Sequence, residues 1–175
     1  MTRIRTLLIT EDYLRQNILL HEIEPTYGTS SWQYAVAVAQ LARVYGTEDI
    51  LDYGCGKGRL QEELNFEIQQ YDPAIAKFND LPVPADIVIC GDVMEHVEPE
   101  CVNDVIDHIR SLTLKIAWWC IATRPASKTL PDGRNCHLIV ESTHWWIKLI
   151  EDSGFDIYST SRGRKGELIL TTVPK

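Results

Sequence analysis

Three groups of residues in this chain have the types and spacing to do chemistry. The first is Asp52-Tyr53-Gly54-Cys55-Gly56-Lys57-Gly58, in which an acid precedes three glycines at alternate positions. Glycine has no Cβ, so such a turn takes positive φ and lets a ligand lie against the backbone. A helix beginning after it offers its free N–H groups to that ligand. A dinucleotide site wants Gly-x-Gly-x-x-Gly, with the third glycine one residue later than here. Cys55 is either a thiol whose pKa a helix N-terminus lowers or a small residue that fits a crowded bend. The second group is Asp92-Val93-Met94-Glu95-His96. At helical spacing its two acids and its imidazole share one face. With His137 they make an oxygen and nitrogen donor set suited to Mg, Mn or Zn. Without metal the same residues shape a polar pocket, and His96 or His137 can serve a hydroxyl acceptor as general base. His137 has a plainer reading too, as a loop histidine bridging surface groups. The third group is Arg124, Lys128 and Arg134, whose positive character in one loop suits a carboxylate, a phosphate or an acidic sugar.

The elements that must position these groups alternate as an α/β fold requires. From Glu11 to about Val44 the chain reads as helical with a break at Pro25-Thr26-Tyr27-Gly28, and Ser30 or Ser31 caps the second helix. Strands follow over Ile50–Tyr53, Phe66–Tyr71 and Ile87–Cys90, with a helix from about Gly58 to Leu64 after the first. A helix from about Glu100 to Leu112 carries Val102, Val105, Ile106 and Ile109 on one stripe, and Lys115–Ala122 is a buried strand with Trp118 and Trp119. A last helix over Thr143–Ser153 stops at Gly154 and carries Trp145 and Trp146, of which at least one belongs to the core. Phe155–Thr160 and Glu167–Val173 close the chain as an antiparallel hairpin around Arg162-Gly163-Arg164, so the sheet is mainly parallel with helices on both faces.

The spacing of Asp52, Gly54, Gly56 and Gly58 resembles the first motif of the class I S-adenosylmethionine (SAM)-dependent methyltransferases. Ile89-Cys90-Gly91-Asp92-Val93-Met94-Glu95-His96-Val97 is similar to the Glu-Val-Leu-Glu-His-Val stretch of many small-molecule members, with Asp92 in place of the first Glu. The resemblance runs from about Trp32 to the end and implies a Rossmann-like fold and SAM as cofactor. It places Asp52, Gly54, Cys55 and Gly56 at the cofactor and Asp72, 20 residues after Asp52, on both ribose hydroxyls. Pro73, Gly91, Asp92 and Val93 complete the implied cofactor contacts, and Asn79, Asp80 and Leu81 fall where related enzymes meet the adenine. Residues 1–46 resemble the helical cap that closes over SAM, with Tyr27, Gly28, Ser30, Ser31 and Trp32 near its methionine end; Trp32 alternatively anchors the helix on the sheet. The segment 123–142 corresponds to a loop over the substrate, and Trp145 and Trp146 offer an aromatic wall. Two branches, the ubiquinone-pathway O-methyltransferases and the small-RNA terminal 2′-O-methyltransferases, bind metal through a similar pattern. That resemblance makes Asp92, Glu95, His96 and His137 candidate ligands, and Glu95, His96 and His137 candidate catalytic residues, around an acceptor oxygen. One departure stands out. Too few residues separate Asp72 from Ile87 for a helix, a full third strand and another helix, so that strand is vestigial or the sheet is trimmed.

Length and composition bound the reading to one domain over 1–175. A net charge of −8 argues against a large non-specific nucleic-acid footprint, which needs a basic surface. No Asp/Asn-Pro-Pro-aromatic motif follows Ile87–Cys90 and no Pro-Cys nucleophile motif stands at its expected place, so nucleic-acid base methylation is not expected. Five cysteines without a Cys-x-x-Cys pair point to reduced thiols in a cytoplasmic protein. No apolar run is long enough to span a membrane, and no signal peptide is expected at Met1-Thr2-Arg3-Ile4-Arg5. His21, His108 and His144 read as structural or solvent-facing, and Arg162, Arg164 and Lys165 as a solvated hairpin turn. The expectation is methyl transfer from SAM to a small-molecule or sugar-like acceptor, at oxygen. The alternatives are a metal-dependent RNA 2′-O-methyltransferase and a non-catalytic SAM-binding regulatory subunit, the latter suggested by the shortened third-strand region.

Overall fold

Alternation of side chains along two central strands divides the interior into two apolar layers. In the computed structural model, which describes residues 7–175, β3 (Ala85–Gly91) sends Val88 and Cys90 to one face and Ile87 and Ile89 to the other. The next strand, β4 (Thr113–Ile121), repeats the pattern with Ala117, Trp119 and Ile121 against Ile116, Trp118 and Cys120. The first face is covered by α4 (Val102–Leu112), whose stripe of Val102, Val105, Ile106 and Ile109 is wholly buried, and by α5 (Thr143–Asp152) through Trp146 and Ile150. The second is covered by α2 (Ala35–Tyr45), by the 3-10 turn Ser30–Tyr34 before it, and by Leu60 of the one-turn helix α3 (Arg59–Glu62). The preceding helix, α1 (Glu11–Ile23), stands apart and packs Tyr13 and Leu20 on Leu130 and Cys136 of the 123–142 segment. The first six residues of the expected cap, and the expected absence of a signal peptide there, lie outside the described residues.

With β1 (Ile50–Tyr53), β2 (Gln69–Tyr71), β5 (Phe155–Arg162) and β6 (Leu168–Pro174), the sheet has six strands in the order β2-β1-β3-β4-β6-β5. The first four run parallel, and β6 is antiparallel to both β4 and β5. This is the expected α/β architecture with its C-terminal hairpin. The third strand is absent among the described residues. After Asp72 the chain folds back on itself through Asp72 N–H to Phe78 O, Ile75 N–H to Asp72 O and Phe78 N–H to Ile75 O, then enters β3 directly. The sheet is trimmed, and β2 is its edge. The expected strand over Phe66–Tyr71 shortens to Gln69–Tyr71 because β1 supplies ladder partners only from Leu51 to Tyr53. The sequence expectation for the serines is corrected as well. Neither caps α2; Ser31 Oγ accepts the N–H of Leu60 at 3.1 Å, serving α3, whose own cap residue Gly58 has no side chain.

The carboxyl ends of the four parallel strands emerge at one edge. They lead into the glycine turn, Asp72, Asp92 and the 122–142 segment respectively. In open α/β sheets ligands settle at that edge.

Candidate active site

The glycine turn is built against the cap. Gly54, Gly56 and Gly58 all have positive φ, at 78°, 55° and 75°. A Cβ on Gly56 would lie 2.5 Å from the carbonyl oxygen of Gly28, and one on Gly54 would overlap Val93 Cγ2, so both positions require the absence of a side chain. The two backbones are tied by Lys57 N–H to Gly28 O at 2.8 Å, while Lys57 Nζ donates to the carbonyls of Glu24 and Pro25. The expectation that free N–H groups face a ligand here is corrected. Gly54 and Cys55 donate to Tyr71 O, Gly56 to Asp72 and Gly58 to Cys55 O, and α3 is only four residues long. Cys55 is buried, and burial, with Asp52 and Asp72 adding to it, pushes its thiol pKa up; it is a small residue in a crowded bend, not an activated thiol.

Asp72 lies where β2 ends, its Oδ2 accepting Gly56 N–H at 3.0 Å and its Oδ1 accepting Ala74 N–H at 2.9 Å. Burial raises its pKa while those two N–H groups pull it down. Each oxygen keeps acceptor capacity, and the residue lines the main cleft. Asp52 sits deeper. It is buried, its Oδ2 has no hydrogen-bond partner among the described residues, and burial, with Asp72 second, raises its pKa to about 7. It does not line the cleft, so it supports the turn from beneath.

The cleft, about 1240 Å³, runs from this turn across the carboxyl edge of β3 and β4. Of the expected cofactor residues, Gly54, Gly56, Asp72, Pro73, Asp92 and Val93 line it, together with Tyr27, Gly28, Ser30 and Trp32 of the cap. Asp52, Cys55, Asp80 and Gly91 do not; Asp80 is exposed on the shortened loop, and Gly91 leaves room for the ring of Tyr34. Of the candidate catalytic residues His96 and His137 line the cleft, whereas Glu95 is buried behind it.

Glu95, His96 and His137 each present a ligand atom within 4.8 Å of the others. Asp92 is not among them, which corrects the expected four-residue set. The segment forms a 3-10 turn over Met94–His96 rather than an α-helix, and Asp92 precedes it at φ 57° with its carboxylate taking the Ser30 hydroxyl at 3.2 Å. Glu95 Oε1 accepts Ala122 N–H at 2.8 Å, but Oε2 is buried without a partner among the described residues, and burial, reinforced by Asp92, raises the pKa to about 8. His96 is held from three sides: its N–H donates to Val93 O, its carbonyl accepts from the Tyr13 hydroxyl, and its ring meets that of His137 edge-on at 4.7 Å. Burial, then His137, lowers its pKa to about 3, so it is a neutral imidazole. The Nδ1 of His137 lies 2.6 Å from the Arg124 carbonyl, a geometry that places the proton on Nδ1 and leaves the Nε2 lone pair free. The cap is fastened to this cluster by Glu98, which accepts both the N–H and the hydroxyl of Thr10, the N-cap of α1.

Two sequence expectations about the outer cleft are met only in part. Trp146 is buried in the core and Trp145 packs on it edge-on, so neither lines the cleft; the aromatic wall is Trp32, with Trp118 and Tyr34 behind. The three cations of the 123–142 loop are occupied: Arg124 pairs with Glu167 at 3.0 Å, Lys128 with Glu24 at 3.0 Å, and Arg134 with Asp132 at 2.6 Å. Arg124 and Lys128 still line the cleft, Arg134 does not, and the turn Arg162–Lys165 lines it as well, as do Val36 and Ile169. His21, read as structural or solvent-facing, also borders the cleft, with Nδ1 buried and unpartnered and burial holding its pKa near 4. The basic residues around Gly163, read from sequence as a solvated hairpin turn, border the cleft. All five cysteines are buried and unbonded, and among the described residues no helix is long and apolar enough to cross a membrane.

Comparison with known proteins places this fold. No protein-family model matches the chain, and no curated protein matches it. Among solved structures it is similar to the 1,6-didemethyltoxoflavin-N1-methyltransferase of Burkholderia thailandensis, determined with S-adenosylhomocysteine, at 13% identity and TM-score 0.71 over 98% of this chain and 92% of that one. It is also similar to the magnesium protoporphyrin IX methyltransferase of Synechocystis, at 21% identity and TM-score 0.57 over 95% and 90%. The N-methyltransferase NodS of Bradyrhizobium japonicum matches at 12% identity and TM-score 0.60 over 93% and 97%. The chain has the class I methyltransferase fold.

Proposed function

We propose that the protein binds SAM across the glycine turn and Asp72 and transfers its methyl group to a small molecule, at oxygen. The observation that carries this reading is the placement of Asp72. A carboxylate with spare acceptor capacity on both oxygens stands beside a turn too tight for side chains, at the head of a cleft that also holds two histidines. Two neighbours of like fold are named for small-molecule acceptors, 1,6-didemethyltoxoflavin and magnesium protoporphyrin IX, in keeping with that scale of acceptor. Bound there, SAM supplies an electrophilic methyl on a sulfonium, whose transfer asks of the protein chiefly in-line placement. Asp72 orients the ribose, and the Gly28–Gly56 contact sets how closely the cap approaches. His137 takes the acceptor's proton on Nε2, since its Nδ1–H is committed to Arg124 O. His96, with a pKa near 3, is too weak a base for that task and serves to position His137 and the acceptor.

A divalent metal is a second reading with its own support. The donors of Glu95, His96 and His137 converge, Glu95 Oε2 lacks any partner, and His96 is already the neutral imidazole a metal requires. Held by these three, a metal would supply Lewis acidity toward an acceptor oxygen. Calorimetric titration with Mn and with Zn tests it: binding lost in His137→Ala supports it, and no binding by the unaltered protein removes it. For the main reading, the protein is incubated with methyl-tritiated SAM and a panel of hydroxylated and aminated acids. Label transfer lost in Asp72→Ala supports catalysis. SAM binding without transfer to any acceptor favours a silent SAM-binding subunit.

A further inference from the structure

The mouth of the cleft differs in character from its head. On the cap side Trp32 is 59% exposed and Val36 81% exposed, although Tyr34 and Val38 beside them are buried. Ile169 of β6 and the β5–β6 turn line the same cleft. Exposed apolar groups on the wall of a cleft keep surface that a ligand can cover, whereas single ones on a convex face signify nothing.

The turn carries charge that the protein does not use. Arg162, Arg164 and Lys165 are exposed and form no ion pair among the described residues, in contrast to Arg124, Lys128 and Arg134. The backbone that presents them is braced: Gly163 N–H donates to Glu167 O at 2.8 Å, Gly166 N–H to Gly163 O at 3.1 Å, and Lys165 N–H to the Glu167 carboxylate at 3.0 Å. Glu167 is the acid nearest these cations in sequence, and its carboxylate already holds Arg124 and the Lys165 N–H. In a chain with a net charge of −8, three cations without an ion pair among the described residues, on a braced turn lining the main cleft, concentrate positive charge there.

We propose that the acceptor is an amphipathic organic anion, with an apolar or aromatic body resting on Trp32, Val36 and Ile169 and a carboxylate or phosphate held by Arg162, Arg164 and Lys165. This rests on the reading that SAM fills the head of the cleft. The atom to be methylated then faces His137, between the cofactor and the body of the acceptor. Recognition is divided: the apolar wall supplies burial without regard to charge, and the turn selects the anion.

The test uses the full chain saturated with S-adenosylhomocysteine, with 1-naphthyl phosphate and neutral 1-naphthol as probes followed by calorimetry. The phosphate is expected to bind at least about tenfold more tightly than the naphthol. In Arg162→Gln/Arg164→Gln/Lys165→Gln that preference disappears while the naphthol affinity holds; in Trp32→Ala both probes weaken together. S-adenosylhomocysteine affinity is measured on the same samples. Its absence in the unaltered protein overturns the cofactor reading, a failure visible apart from this one. Equal affinity for the two probes, no binding of naphthyl phosphate to the loaded protein, or a preference that survives the triple substitution overturns the amphipathic anion. Tighter binding of a short single-stranded RNA than of naphthyl phosphate, lost in the triple variant, overturns it in favour of a nucleic-acid acceptor.

Discussion

Replacing Asp52 by asparagine should stabilise the protein at alkaline pH and leave it unchanged in acid. Asp52 is 3% exposed, its Oδ2 has no partner, and its pKa rises from 3.8 to about 7 because ionisation in that site meets burial first and the Asp72 carboxylate second. Below pH 3.8 the group is protonated in both folded and unfolded chains and affects neither. Between 3.8 and about 7 the unfolded chain ionises while the folded chain keeps its proton, so folding stability falls as pH rises; above about 7 the loss levels off. A separation of about 3 pH units at 1.36 kcal/mol each sets a ceiling of about 4 kcal/mol, and relaxation around the charge makes about 2–4 kcal/mol the expected gain. Asparagine keeps the shape and cannot ionise. Urea unfolding followed by tryptophan fluorescence, on both proteins at pH 4 and pH 8.5 without ligand, reads the difference directly. At pH 4, where the unfolded carboxyl is already partly ionised, the two should differ by less than about 1 kcal/mol, with the Asp52→Asn variant the more stable protein by the stated amount at pH 8.5. A constant difference at both pH values, or a less stable variant at pH 8.5, would refute the placement of an uncompensated acid beneath the turn.

Two further substitutions probe the scaffold. Gly56→Ala puts a Cβ 2.5 Å from Gly28 O at φ 55°, so the cap must lift from the turn; a stability loss of about 1–3 kcal/mol and at least a tenfold weaker binding of S-adenosylhomocysteine are expected from thermal and calorimetric measurements, and unchanged binding would show that cap and turn need not touch. Thr172→Val removes the acceptor that takes Trp119 Nε1–H at 2.9 Å in the core, which should cost about 1–3 kcal/mol in denaturant unfolding without altering cofactor affinity; a shift in that affinity would mean that the hairpin and the cofactor site are coupled.

Much of the scaffold was written in local pattern. The stripe on α4, the strand-turn-helix around Gly54, Gly56 and Gly58, and the breaks at Gly28 and Gly154 are short-range signals, and each element formed within a few residues of its expected place. The deficit between Asp72 and Ile87 left a vestigial strand or a trimmed sheet open, and the sheet is trimmed. What pattern could not reveal was partnership across the chain. Whether Arg124 and Lys128 are free depends on Glu167 and Glu24, far away in sequence. The destination of Ser31 was Leu60, not its own helix. Periodicity counted Asp92 onto a face with Glu95 and His96, but the segment is 3-10 and Asp92 is left-handed, which turns its carboxylate to Ser30. The Arg162–Lys165 turn was legible as a basic turn; only the antiparallel return of β6 beside β4 brings it to the lip of the cleft.

Calorimetric titration of SAM and S-adenosylhomocysteine into the unaltered protein and into Asp72→Asn reads directly whether the cleft at the glycine turn holds SAM. One site per chain with roughly micromolar affinity for both nucleotides is expected, weakened at least about tenfold when one carboxylate oxygen becomes an amide donor. No heat with either nucleotide, or equal affinity in Asp72→Asn, would contradict it.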